Sequence, residues 1–136
     1  MIEEIIKRFS SYWWHDSRII NIQLTRRTDG DKEFEDIACD FELLFHATPE
    51  IVEYKRTKLI FKDCFLLKSY IYLVDKRYCS DMIEDAICMD ESELKSLAIS
   101  ELGKNASEYL YFKIDFVAPG GEIELLAKDF EIIDEK

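Results

Sequence analysis

Apolar residues recur along this chain with two different periods. Ile2, Ile5, Ile6, Phe9 and Trp13 follow the i, i+3, i+4, i+7 spacing of one helical face, which predicts a helix over residues 2–13. Glu3 and Glu4 stand at its N-terminal end, where the helix dipole favours negative charge. From residue 18 the period falls to two. Ile20, Ile22 and Leu24 alternate with Asn21, Gln23 and Thr25, and the Asp29-Gly30 pair then signals a turn. The clearest strand is 36–46, with Ile37, Cys39, Phe41, Leu43 and Phe45 on one face and Asp36, Asp40, Glu42 and His46 on most of the other. Such alternation means one face is buried and one is wet, as in an antiparallel sheet.

Beyond the break at Pro49, residues 51–62 resume strand character, and Asp63-Cys64 reads as a turn or bulge. Residues 65–74 read as a strand with a helix as the competing assignment, since short apolar runs fit both. Within 75–90, Met82, Ile83, Ala86 and Ile87 could face a core from a short helix or a loop. A second helix is expected over 91–102, capped by Asp90 with Glu93 three residues on, striped by Leu94, Leu97, Ala98 and Leu102, and stopped at Gly103. A second hairpin follows: Leu110, Phe112, Ile114 and Phe116 alternate with Tyr111, Lys113 and Asp115. Ala118-Pro119-Gly120-Gly121 turns the chain, and Ile123, Leu125 and Ala127 alternate with Glu122 and Glu124.

These elements predict an α+β fold in a single domain spanning residues 1–136: a mostly antiparallel, curved or half-barrel-like sheet with an N-terminal helix and one further helix at about 91–102. No strand–helix–strand alternation or Gly-rich phosphate loop suggests a doubly wound fold. The pivot is Trp13-Trp14-His15-Asp16-Ser17, between the first helix and the first strand. Each indole brings roughly 200 Å² of surface to bury, and Asp and Ser favour turns and caps. At least one Trp should therefore be a packing anchor beneath a polar turn.

Composition narrows the class. The chain has 136 residues, 48% of them hydrophobic, with four Gly and two Pro, which suits a globular domain. No run is long enough for a membrane helix, and no signal peptide is visible, so a cytoplasmic protein without membrane attachment is expected. Cys39, Cys64, Cys79 and Cys88 lack the paired spacing of a zinc site and are expected as reduced thiols, with no metal and no cofactor. The net charge is −11. Within 81–101 the acids Asp81, Glu84, Asp85, Asp90, Glu91, Glu93 and Glu101 face a single base, Lys95. Such a surface repels phosphate backbones and argues against nucleic-acid binding. Either it keeps the protein soluble or it meets a basic protein partner, with Asp81, Glu84, Asp85, Glu91 and Glu93 as contact residues.

His15, Asp16 and Ser17 are the residue types of a hydrolase triad, but three consecutive residues project in different directions and no G-x-S-x-G accompanies them. No catalytic residue is assigned, and the stretch reads as a structural turn. The alternative is a small-molecule-binding or hydrolytic pocket near Tyr12, Trp14 and His15. Asp29, Asp31, Glu33 and Glu35 lack the Gly and bidentate acid positions of a calcium loop. Asp81, Glu84 and Asp85 would share a helical face suited to a metal, yet no His joins them.

An amphipathic N-terminal helix, then Trp14-His15-Asp16-Ser17, then a hydrophobic hairpin resembles a group of small uncharacterised bacterial proteins, some of which look like immunity proteins of toxin systems. The motif is four residues long and the looser pattern covers the first third of the chain. The resemblance implies a non-enzymatic domain that neutralises a basic toxin, and it carries over no site residues.

Overall fold

The computed structural model describes residues 2–64, 66–71, 82–117 without 103–107, and 121–134; the side chains of 66–71 and 101–102 lie outside that description. The described residues form α1 (Ile2–Ser10), β1 (Arg18–Asp29), β2 (Lys32–His46), β3 (Val52–Lys62), β4 (Leu66–Ile71), β5 (Ile83–Met89), α2 (Glu93–Leu102), β6 (Leu110–Phe116), β7 (Gly121–Ala127) and β8 (Asp129–Asp134). The α+β class and the antiparallel pairing are those the sequence predicts. The sheet is divided in two, however, ordered β1-β2-β3-β8 and β4-β7-β6-β5.

The division follows from one bent ribbon. β3 and β4 run along β8 and β7, so Thr57 pairs with Asp134 and Lys62 with Asp129 in one sheet, and Leu66 with Leu126 and Ile71 with Gly121 in the other. The bend falls at Asp63, whose φ of 50° lies in the left-handed region. Asp36 holds it there. Its buried carboxylate accepts the Asp63 N–H at 2.9 Å and the Arg27 Nε–H at 3.0 Å, while the Cys64 N–H donates to the Glu35 carbonyl at 2.7 Å. Burial alone would raise the Asp36 carboxyl, but these donors outweigh it and hold it below its ordinary value. Asp36 on the predicted wet face is thus buried because the corner needs an acceptor.

The core lies between the sheets. Phe41, Leu59, Phe61 and Phe130 of the first sheet meet Phe112, Ile114 and Leu125 of the second, and α1 closes one side with Phe9. Phe9 stacks on Trp14 with centroids 4.3 Å apart and meets Phe112 and Phe130 edge-on at 5.2 and 5.0 Å. Such pairs contribute about 0.5–1.5 kcal/mol each beyond their buried area.

Several expectations need correction. The first helix stops at Ser10, so Trp13 is not on its stripe: the Ser10 and Ser11 hydroxyls bond the Ile6 and Arg8 carbonyls, and the Trp14 indole N–H takes the Phe9 carbonyl at 2.6 Å. Side chains have thereby satisfied the last-turn carbonyls that a continuing helix would use. A bulge between Ile19 and Asn21 turns Ile19 inward and leaves Ile20 and Leu24 exposed. Residues 83–89 form a strand, so Glu84 and Asp85 share no helical face, and of the four apolar candidates only Ile83 and Ala86 are buried. Ser92, not Asp90, caps α2: its hydroxyl accepts the Lys95 N–H at 3.1 Å, while Asp90 takes the Lys95 ammonium. Leu97 points outward and is 49% exposed; Ala98 and Leu94 instead pack on Tyr109, Tyr111 and Leu126. Cys79, Asp81, Gly103 and the turn 118–120 lie outside the described residues.

Two outcomes follow for stability. Trp14 is 5% exposed and Trp13 37%. Replacing Trp14 with Ala should cost about 3–5 kcal/mol and Trp13 with Ala clearly less, as read by urea denaturation of the two single variants. The Asp36 carboxyl is lowered in the fold, so its contribution is complete above the unfolded value of about 3.9 and is lost as pH falls through the lower folded value. The gap in urea midpoint between wild type and Asp36→Asn should be constant from pH 7 to about 5 and shrink below about 4.

Candidate functional site

The Trp13–Ser17 stretch is a knot tying α1 to both sheets. Ser17 is completely buried; its hydroxyl donates to the Trp13 carbonyl at 2.7 Å and accepts the Leu44 N–H of β2 at 3.0 Å. Its backbone carbonyl accepts the Ile83 N–H at 2.7 Å, and the Asp16 N–H donates to the Ile83 carbonyl at 2.8 Å, joining the start of β1 to β5. Asp16 has φ 69°, a strained value for a residue with a side chain, and its carbonyl accepts the Tyr54 hydroxyl at 3.0 Å. A Ser hydroxyl so engaged and enclosed is held away from any substrate. His15 turns from it to the Glu84 carbonyl, 2.8 Å from Nδ1, with Nε2 at 3.6 Å from Asp16. The carbonyl bond first, then the Asp16 charge, raise the His15 pKa above its ordinary value. The three residues do not converge as a triad.

Trp13 lies on the outer surface, its ring 4.8 Å from the His46 ring, while Arg18 sits 5.1 Å over Tyr54. Between this turn and β5 runs a cleft of about 500 Å³ lined by Tyr12, Trp13, Trp14, His15 and residues 85–89. The pocket expected near Tyr12, Trp14 and His15 therefore corresponds to a surface depression, although Trp14 belongs chiefly to the core.

The predicted acidic set is split. Glu84 and Asp85 stand at the start of β5, both exposed; Glu91 and Glu93 follow its far end, about 20 Å along the chain at strand rise. Met89 lies between them and is exposed. What the structure brings beside Asp85 is a group that linear charge counting misses. Asp85 pairs with Asp115 on β6, and Asp115 with Glu122 on β7, forming a rung of three carboxylates across neighbouring strands. Glu124 is one rung along, paired with Lys113. α2 covers the Tyr111 and Leu126 end of this outer face and leaves the acidic end open. Lys113 approaches Asp115 at 3.7 Å and Glu122 at 3.4 Å. The Asp115 pKa is nonetheless raised, by burial first and then, against the pull of Lys113, by Glu122, Asp85 and Glu84. The alternation of residues 110–116 and 121–127 already put Asp115, Glu122 and Glu124 on the wet face; only the pairing of β5 with β6 reveals their neighbour.

The turn acids have a different use. Asp29 and Lys32 close a two-residue hairpin with Gly30 at φ 65°, and Glu35 faces Arg26 across the strands at 3.8 Å. Among the described residues no three His, Cys, Asp or Glu side chains gather as metal ligands. No helix among them is long and apolar enough to cross a membrane. Comparison with family models, curated proteins and solved structures finds no match.

Burial pushes the Cys39, Cys64 and Cys88 thiols up to about 12, which removes the thiolate a nucleophile needs. These three should alkylate far more slowly than a small-molecule thiol in native protein at pH 8 and at full rate in denaturant. Mass spectrometry after timed iodoacetamide treatment, with peptide-level assignment, measures this.

Proposed function

We propose that this chain is a non-catalytic binding domain for a basic protein partner, of the kind an immunity protein provides against a toxin, and that it acts in the cytoplasm. The rung Asp85–Asp115–Glu122 carries this reading. Like charges directly opposite on neighbouring strands oppose sheet formation, and a partner's Lys and Arg side chains would relieve that repulsion on docking. Glu84 extends the rung at the β5 end, and Glu91 and Glu93 add a second acidic point past Met89. A field of one sign steers an oppositely charged partner and speeds encounter. The engaged Ser17 hydroxyl and the suppressed thiols favour binding over hydrolysis near Tyr12, Trp14 and His15.

Two measurements test it. A tagged protein is used to isolate its partner from native cells, and association is followed at 0.01 M and 0.1 M salt, between which the Debye length falls from about 30 Å to about 10 Å. Association should slow at least about tenfold, and Asp85→Lys with Asp115→Lys should slow it further; salt-independent association would remove the acidic face from the interface. The second measurement concerns the free protein. Because the folded Asp115 carboxyl is raised, its ionisation opposes folding as pH rises above its unfolded value. Asp115→Asn should thus leave stability at pH 7 equal or higher, by under about 1 kcal/mol, while weakening the partner. A clear loss of stability in urea would mean that Lys113 makes Asp115 a structural residue.

A further inference from the structure

We infer that the cleft between the Trp13–His15 turn and β5 receives an arginine side chain of the partner. This rests on the reading of a basic partner and adds which cationic residue is read and where. Three features of the cleft carry it. Its walls are aromatic: Tyr12 and Trp13 stand at the turn, and Trp13 stays 37% exposed although the His46 ring lies 4.8 Å away. Its rim is acidic: Asp85 lines it, with Oδ1 fixed by the Ala86 N–H at 2.9 Å, which orients the carboxylate, and Glu84 is its chain neighbour. Its far side is apolar, since Ile87 and Met89 are exposed along β5.

A guanidinium matches that sequence of surfaces. Its plane stacks on an aromatic face, its N–H groups fork onto a carboxylate, and its aliphatic stem lies along apolar side chains. A lysine ammonium is a compact, strongly hydrated charge that gains less from a flat aromatic wall. A purely apolar side chain would cover Asp85 and His15 without satisfying them. An acidic side chain would meet Asp85 and Glu84 with the same sign. The depression, at about 500 Å³, has room for the side chain and the backbone that presents it.

The probes are three acetylated, amidated peptides of one Gly-Ser-spaced sequence carrying three arginines, three lysines or three citrullines, the last being uncharged but shaped like arginine. Binding is followed by NMR titration of the Trp13 indole N–H signal and of backbone amides. The arginine peptide should move the Trp13 signal saturably and bind about three- to thirtyfold more tightly than the lysine peptide, with the citrulline peptide weakest. Trp13→Ala and Asp85→Asn should each abolish the arginine preference. Asp115→Asn should weaken both cationic peptides alike and keep the preference. Asp85 is an exposed side chain, so Asp85→Asn decides the matter even where Trp13→Ala disturbs the turn. Equal binding of arginine and lysine peptides, or a preference that survives Asp85→Asn, overturns the arginine site and leaves the basic-partner reading standing. Failure of both cationic peptides to bind overturns both.

Discussion

One buried hydroxyl holds the molecule's geometry together. Ser17 donates to the end of the α1 connection at Trp13 and accepts from β2 at Leu44, while its carbonyl takes an N–H from β5. A helix, one sheet and the edge of the other thus meet at one residue. In a dry interior each of these groups would cost about 1–3 kcal/mol if left unpaired, so the arrangement is enforced from three sides. Ser17 alone does not set the turn. Asp16 adopts a left-handed backbone so that its N–H reaches Ile83 and its carbonyl reaches Tyr54. Strain of this kind persists where surrounding contacts over-determine it.

The consequence is local. Because the start of β1 bonds to β5 at Ile83 and the strand then departs along β2, the two sheets are joined on this side, among the described residues, at residues 16–18 and 82–83. The opposite side is joined by the continuous ribbon through Asp63 and Lys128, whose ammonium lies 3.2 Å from Asp63. The result is a curved, unclosed pair of sheets with α1 filling the gap through Phe9. His15 and Trp13 are held at the outer lip of that gap because the residues on either side, Trp14 and Ser17, are buried.

Much of this was legible in the chain. The period-two runs located the strands of both hairpins, and Ile37, Cys39, Phe41, Leu43 and Leu110, Phe112, Ile114, Phe116 are buried as read, whereas Phe45, expected on the same face, is only half-buried and its neighbour Leu44 is buried instead. Errors arose where a side chain competes with the backbone pattern. Ser10 and Ser11 end the helix before Trp13, and Ser92 captures the cap expected of Asp90. The strand 83–89 was obscured because a bulge at Glu84 breaks its alternation, placing Glu84 and Asp85 both outside. The acidic rung was invisible to any linear count: Asp85, Asp115 and Glu122 are separated by 30 and 7 positions, and only strand pairing makes them neighbours.

The two sheets treat charge differently, and that contrast bears on function. In the β1-β2-β3-β8 sheet, opposite charges meet: Arg27 with Asp36 at 3.0 Å, Lys55 with Asp134 at 2.6 Å, Lys62 with Glu131 at 3.0 Å. The two exposed pairs, Lys55–Asp134 and Lys62–Glu131, contribute little individually, whereas Asp36 is buried at the Asp63 corner; in each case the acid has a base beside it. On the other sheet the rung Asp85, Asp115 and Glu122 is acidic throughout, with Lys113 3.7 Å from Asp115 and 3.4 Å from Glu122, while Glu124 lies between Lys113 and Lys68 in the strand register. A domain shaped for stability alone would gain by placing a base at residue 115, where both cross-strand neighbours are acids. The acid there instead places three carboxylates on one rung beside the cleft that Asp85 lines. On the proposed reading, a partner's cation would add counter-charge at this rung, and the repulsion relieved there would favour association.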